Sequence, residues 1–266
     1  MGLDGYVQCN CIKEGKIKTP PFDLSLIKYE NNIFDISEDV EDETFHSYLD
    51  WIENACNHPR LYYIHERVSN ISGLNFLWSA IRKAGKEKFP ILKSIWETDH
   101  LKPEKAKEAL QEVELLKSKI NEMEGVFLID KITNEEFWAV FEDEDEWFYS
   151  HGGEFYYRLN NKGFCITDSE GKELFLSKDF TQDVTMTMNL DKVQFEVVFK
   201  DIIEGKTFES IKPIDRCINW EIKEFYFPKE LKVIRRRLEV KDFYSIEVLM
   251  RLFEASCITG NSVVWT

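Results

Sequence analysis

The chain has 266 residues and carries 49 acidic against 34 basic side chains, a formal net charge of -15; a surface so negative disfavours direct contact with nucleic-acid phosphates or anionic lipid. Hydrophobic residues make up 43% and aromatic rings 14% of the sequence, which excludes intrinsic disorder and suffices for one large domain or two modest ones. The six cysteines are scattered, no apolar run reaches the length of a membrane span, and the opening residues form no secretory leader, so free thiols in a cytoplasmic protein are expected.

Residues 3–12 alternate as a strand would, with Val7, Cys9 and Cys11 on one face and Gln8 and Asn10 on the other. Glu14-Gly15 reads as a turn, Ile17 as the start of a return strand, and Thr19-Pro20-Pro21 as a break in regular structure. Phe45, Tyr48, Leu49, Ile52, Ala55 and Cys56 recur at helical spacing and predict a helix from about 43 to 57, ended by His58-Pro59. Residues 61–64 suggest a short strand; Leu74, Leu77, Trp78 and Ile81 mark a second helix that stops near Gly85. The clearest helical pattern covers 103–124. Pro103 suits its first turn, Ala106, Leu110, Val113, Leu116, Ile120 and Met123 form its stripe, and Gly125 supplies the stop.

Beyond Val126 the texture changes. Turn signals at Gly152-Gly153, 160–163 and 168–171 separate strand-like runs at 154–159, 164–167, 174–177, 185–188 and 193–199. Ser245 is expected to cap a last helix bearing Ile246, Leu249, Met250, Phe253 and Cys257, with Gly260 ending it. The expected fold class is α+β: an antiparallel β-sheet with helices packed on one side, a helical N-terminal half followed by a β-rich region. The shift at Gly125 suggests a mixed N-terminal part at 1–125 with amphipathic helices, and a β-rich part at 126–266 ending in a helix, or else one continuous domain.

No catalytic signature is complete. Cys9-x-Cys11 and Cys56-x-His58 contain four potential zinc ligands, but the single intervening residue is unlike the common knuckles, so buried thiols are favoured and no metal or cofactor is assigned. No nucleophile signature surrounds Cys56 or Cys165 near His46, His65, His100 or His151. His151-Gly152-Gly153 lacks a Gly-x-Ser-x-Gly partner and reads as a hairpin turn. The basic cluster Arg235-Arg236-Arg237 is expected to pair with acidic segments inside the fold or to line a solvated strand edge.

Two carboxylate-dense stretches remain. Residues 35–53 and 132–157 combine runs of acids, densest at 37–43 and 142–146, with Trp138, Phe141, Trp147, Phe148 and Tyr149 flanking the second. Charge for approach and ring area for residence suit the capture of a basic protein. The expected contacts are Glu142, Asp143, Glu144, Asp145 and Trp147, followed by Asp39, Glu41 and Asp42. The bland alternative is a solvated helix N-terminus and a solvated loop.

Three segments carry a resemblance: the opening Met1-Gly2-Leu3-Asp4-Gly5-Tyr6-Val7-Gln8-Cys9-Asn10-Cys11, the inner Trp51-Ile52-Glu53-Asn54-Ala55-Cys56, and the closing run from Leu252 to Trp265. Together they resemble a group of poorly characterised bacterial proteins that look like the immunity partners of polymorphic toxins. That resemblance implies immunity or a related conflict role and transfers no site residue; taken with the acidic stretches and the net charge, the expectation is a non-enzymatic binding protein neutralising a basic, nuclease-like toxin by occlusion, with no nucleic acid or membrane partner. The alternatives are an enzyme with a cryptic site around Asp4, Cys9, Cys11, His65 and Glu66, or a structural subunit of a defence or signalling complex.

Overall fold

The computed structural model describes residues 2–143, 146–151, 155–189, 192–219, 222 and 224–266. The chain divides into two compact units, Met1–Asn121 with Glu239–Thr266, and Glu122–Leu238.

In the first unit the strand Gly2–Gln8 lies antiparallel between Tyr62–Asn70 and Val263–Trp265, and His100–Leu101 borders the latter to complete a four-stranded sheet. The helices are α1 (Asp42–Ile52), α2 (Ile71–Gly85), α3 (Pro90–Ser94), α4 (Pro103–Ile120) and α5 (Tyr244–Thr259). Proline opens α4, where its missing N–H costs nothing, and Ala106, Ala109, Val113, Leu116 and Ile120 form the buried stripe. Helix α4 packs on α2 and α5, and α5 lies on the two longest strands of the sheet. A tight hairpin, Ile27–Glu30 with Ile33–Ile36, turns at Asn31-Asn32, both with positive φ as such a two-residue loop requires. The segment from Cys9 to Leu61 has its own small core of Cys9, Ile36, Tyr48, Trp51, Ala55 and Leu61. Phe22 sets its ring edge against Tyr48 and Trp51 at 6.0 and 5.5 Å between centroids.

The second unit contains a four-stranded antiparallel sheet (Glu173–Ser177, Gly163–Asp168, Phe155–Asn160, Glu146–His151) and a six-stranded one. The latter runs Thr207–Ser210, Lys192–Asp201, Asp179–Asn189, Glu230–Arg237, Glu124–Asp130, Glu136–Phe141. Residues from both sheets share one core in which Tyr157, Phe164, Phe175, Phe180 and Phe199 interlock. The Tyr157 hydroxyl meets Ser210 Oγ at 2.5 Å and donates to the Lys212 carbonyl at 2.8 Å. Three hairpins repeat one device: Asp130, Asp168 and Asp201 each accept backbone N–H bonds from the following loop. Asn134, Gly171 and Gly205 then enter the left-handed region to close each loop.

The expected fold class needs correction. The N-terminal half is not a helical half, because strands open it and alternate with its helices, and the protein as a whole is β-rich and mixed. Antiparallel strands form several sheets in place of the single sheet with helices on one side. Three local boundaries also move. Helix α1 ends at Ile52, short of the expected 57. Helix α4 ends at Ile120, and Gly125 lies inside a strand, where a Cβ would approach Leu238 Cδ2 to 2.8 Å. Ser245 sits inside α5, whose N-cap is Phe243, although Gly260 does close the helix with φ 68°. The turn expected at Gly152-Gly153 lies outside the described residues.

Candidate functional site

The first strand stops at Gln8, so Cys9 and Cys11 do not share a strand face as the alternation implied. Cys9 leaves the sheet with its N–H bonded to the Leu61 carbonyl at 2.7 Å, and a turn through 11–15 presents Cys11. Opposite, α1 unwinds after Ile52 and the chain presents Cys56 and His58 before the turn Pro59–Leu61. The Lys18 N–H bonds the Ala55 carbonyl at 2.8 Å, and the Trp51 indole donates to the Lys18 carbonyl at 3.0 Å, holding the two arms together.

The donor atoms of Cys9, Cys11, Cys56 and His58 all lie within 4.8 Å of one another. Cys9 Sγ is 3.7 Å from Cys56 Sγ, Cys11 Sγ is 3.4 Å from His58 Nδ1, and Cys56 Sγ is 3.8 Å from the same nitrogen. The His58 N–H points at Cys56 Sγ at 3.3 Å. Burial pushes the Cys9 thiol up to about 12, the neighbouring thiols adding to the rise, and burial also raises Cys11. An open cleft of about 410 Å³ runs past Cys11, Cys56 and His58. Sequence spacing placed these residues as candidates but hid their convergence, which depends on the chain leaving the strand at Gln8, before the alternation ends.

The acidic stretches fare differently. Asp39, Glu41 and Asp42 are exposed at and before the start of α1. Among the described residues, none of Glu38, Asp39, Glu41, Asp42, Glu43 and Asp50 takes part in an ion pair. Phe45 and Leu49, two of the residues whose spacing predicted the helix, are 42% and 41% exposed one turn apart on it. Tyr48 and Trp51 are the side that α1 buries.

In the second stretch Arg235 pairs with both Glu124 and Glu142. Arg236 pairs with Glu136 at 2.5 Å and lies 3.8 Å over the Phe127 ring. Asp143 is exposed; Glu144 and Asp145 lie outside the described residues, and Trp147 is placed only as part of the strand Glu146–His151.

The other suggested chemistry does not assemble. Asp4 is held by Arg67 at 2.7 Å and Glu66 by Arg251 at 2.9 Å, while His65 packs beside the contacting rings of Tyr6 and Tyr62. None of these joins the thiol group. Among the described residues, no helix is long and apolar enough to cross a membrane. Comparison with protein-family models, with curated proteins and with solved structures finds no match.

Proposed function

We propose that this is a non-enzymatic binding protein that captures a basic protein partner, in the manner of an immunity protein occluding the phosphate-binding cleft of a nuclease-like toxin. The observation that supports this reading is the exposed stretch at and before the start of α1: Asp39, Glu41, Asp42 and Asp50, none in an ion pair among the described residues, share it with the exposed Phe45 and Leu49. Carboxylates there stand where substrate phosphates would, and their long-range field speeds encounter; the apolar pair supplies the desolvated centre that retains the partner. Glu142 contributes less, since Arg235 already neutralises it.

The test is co-purification of the tagged chain with the product of its neighbouring open reading frame, followed by calorimetric titration of that pair at increasing salt. Binding is expected to weaken about 10-fold or more as exposed charges are screened. The triple change Asp39→Lys, Glu41→Lys, Asp42→Lys is expected to weaken it by on the order of 100-fold, and Phe45→Ala by on the order of 10-fold. Affinity indifferent to salt and to the triple reversal sinks the proposal.

A further inference from the structure

We propose that Cys9, Cys11, Cys56 and His58 bind one zinc ion in a closed four-coordinate site that staples the loop-rich segment from Cys9 to Leu61. This goes beyond partner capture and stands independently of it.

Distances carry the argument first. Zinc sits about 2.3 Å from thiolate sulfur and about 2.0–2.1 Å from imidazole nitrogen, so a tetrahedral site has sulfur–sulfur edges of about 3.8 Å and sulfur–nitrogen edges of about 3.6 Å. The observed sulfur–sulfur edge is 3.7 Å, and the sulfur–nitrogen edges are 3.4 and 3.8 Å. With every donor within 4.8 Å of the others, the widest edge closes by small thiol rotations. The same atoms do not form a disulfide: Cys9, Cys11 and Cys56 are free, and a sulfur–sulfur bond is about 2.05 Å long. Three soft thiolates and an imidazole around the space of a single ion select zinc over hard, oxygen-seeking cations.

The surroundings match the donor set. In one arm the amide of the second ligand is aimed at the sulfur of the first, His58 on Cys56. Such N–H bonds stabilise thiolate charge and fix ligand direction. The cleft beside Cys11, Cys56 and His58 gives the ion its way in. On loading, the three thiols release their protons to solvent and the complex carries one net negative charge.

Need completes the case. The ligand pairs are 47 residues apart in the chain, and the small core between them rests on α1, one two-stranded hairpin and irregular loops. Cross-linking such a segment is where a metal contributes most to a fold short of apolar burial.

The experiment takes the reduced full-length protein, adds zinc alone, removes the excess by gel filtration and measures bound metal. One equivalent per chain is expected. Cobalt in its place should give thiolate-to-metal charge-transfer absorption with the intense d–d bands of a tetrahedral site, which reads the ligands without any substitution. Cys11→Ser, Cys56→Ser and His58→Ala should lower zinc affinity at least 100-fold, while Cys165→Ser and Cys257→Ser should retain it. No retained zinc in the reduced wild-type chain, octahedral cobalt without charge-transfer bands, or undiminished binding in Cys56→Ser and His58→Ala would each overturn the proposal.

Discussion

Asn261 is wholly buried. Its amide donates to the carbonyls of Gln8 at 2.8 Å and Cys9 at 3.3 Å and to Asn10 Oδ1 at 3.0 Å, while Lys13 Nζ donates to its oxygen at 2.7 Å. One side chain thus ties the end of the first strand to the stretch that follows α5. Asn261→Ala leaves buried carbonyls without donors and is expected to cost about 2–3 kcal/mol, read as a lower urea midpoint. In the second unit, the Asp201 carboxylate accepts from Ser177 Oγ at 2.5 Å and from the amides of Glu204 and Ile203. These bonds, Ser177's foremost, hold its pKa below the ordinary carboxylate range. The unfolded chain therefore takes up the proton first on acidification. The stabilisation is complete above the unfolded value of about 3.9 and disappears as pH falls through the lower folded value. Asp201→Asn should accordingly lose less stability than the wild type between pH 6 and pH 3, measured by urea unfolding across that interval.

At the scale of elements, the hairpin joining Phe155–Asn160 to Gly163–Asp168 depends on Gly163, whose φ of 146° puts an added Cβ 2.5 Å from the Ser177 carbonyl oxygen. Gly163→Ala combines a forbidden backbone region with a clash against main chain, and should cost about 3 kcal/mol or more. A thermal midpoint unchanged by this substitution contradicts the account. The strands between Phe155 and Asp201 were legible in sequence because Asp, Asn and Gly mark their loops while apolar residues alternate between them. Most of the helices were legible from their stripes. The exit of α1 was not: Ala55 and Cys56 continue its apolar spacing, yet they serve the small core and the thiol group after the helix has unwound. Phe45 and Leu49 keep the helical period yet stay exposed, since periodicity reports an apolar stripe without saying how much of it finds a partner. The thiol group was visible as residue types, but its geometry depends on two loops meeting across the fold, which local pattern cannot supply. Glu142 looked free because its partner, Arg235, lies far along the chain on a strand paired through Glu124–Asp130.

For the whole molecule, the second unit is an insertion whose ends meet. Arg237 pairs with Glu124 in register, and the Leu238 N–H bonds the Met123 carbonyl at 3.0 Å. Among the described residues, its aromatic core draws on none outside 122–238. A fragment of those residues alone is expected to fold as a β-rich domain with one cooperative thermal transition, checked by far-ultraviolet circular dichroism and amide chemical-shift dispersion. A fragment that stays a random coil contradicts this division of the chain.

The strand Gly2–Gln8 is paired along one edge with Val263–Trp265. During synthesis the ribosome delivers these partners tens of seconds apart at about 5–20 residues per second. The inserted unit can form while the opening strand still waits with one edge uncovered. Nascent chains stalled before Val263 should therefore engage chaperones far more than released ones.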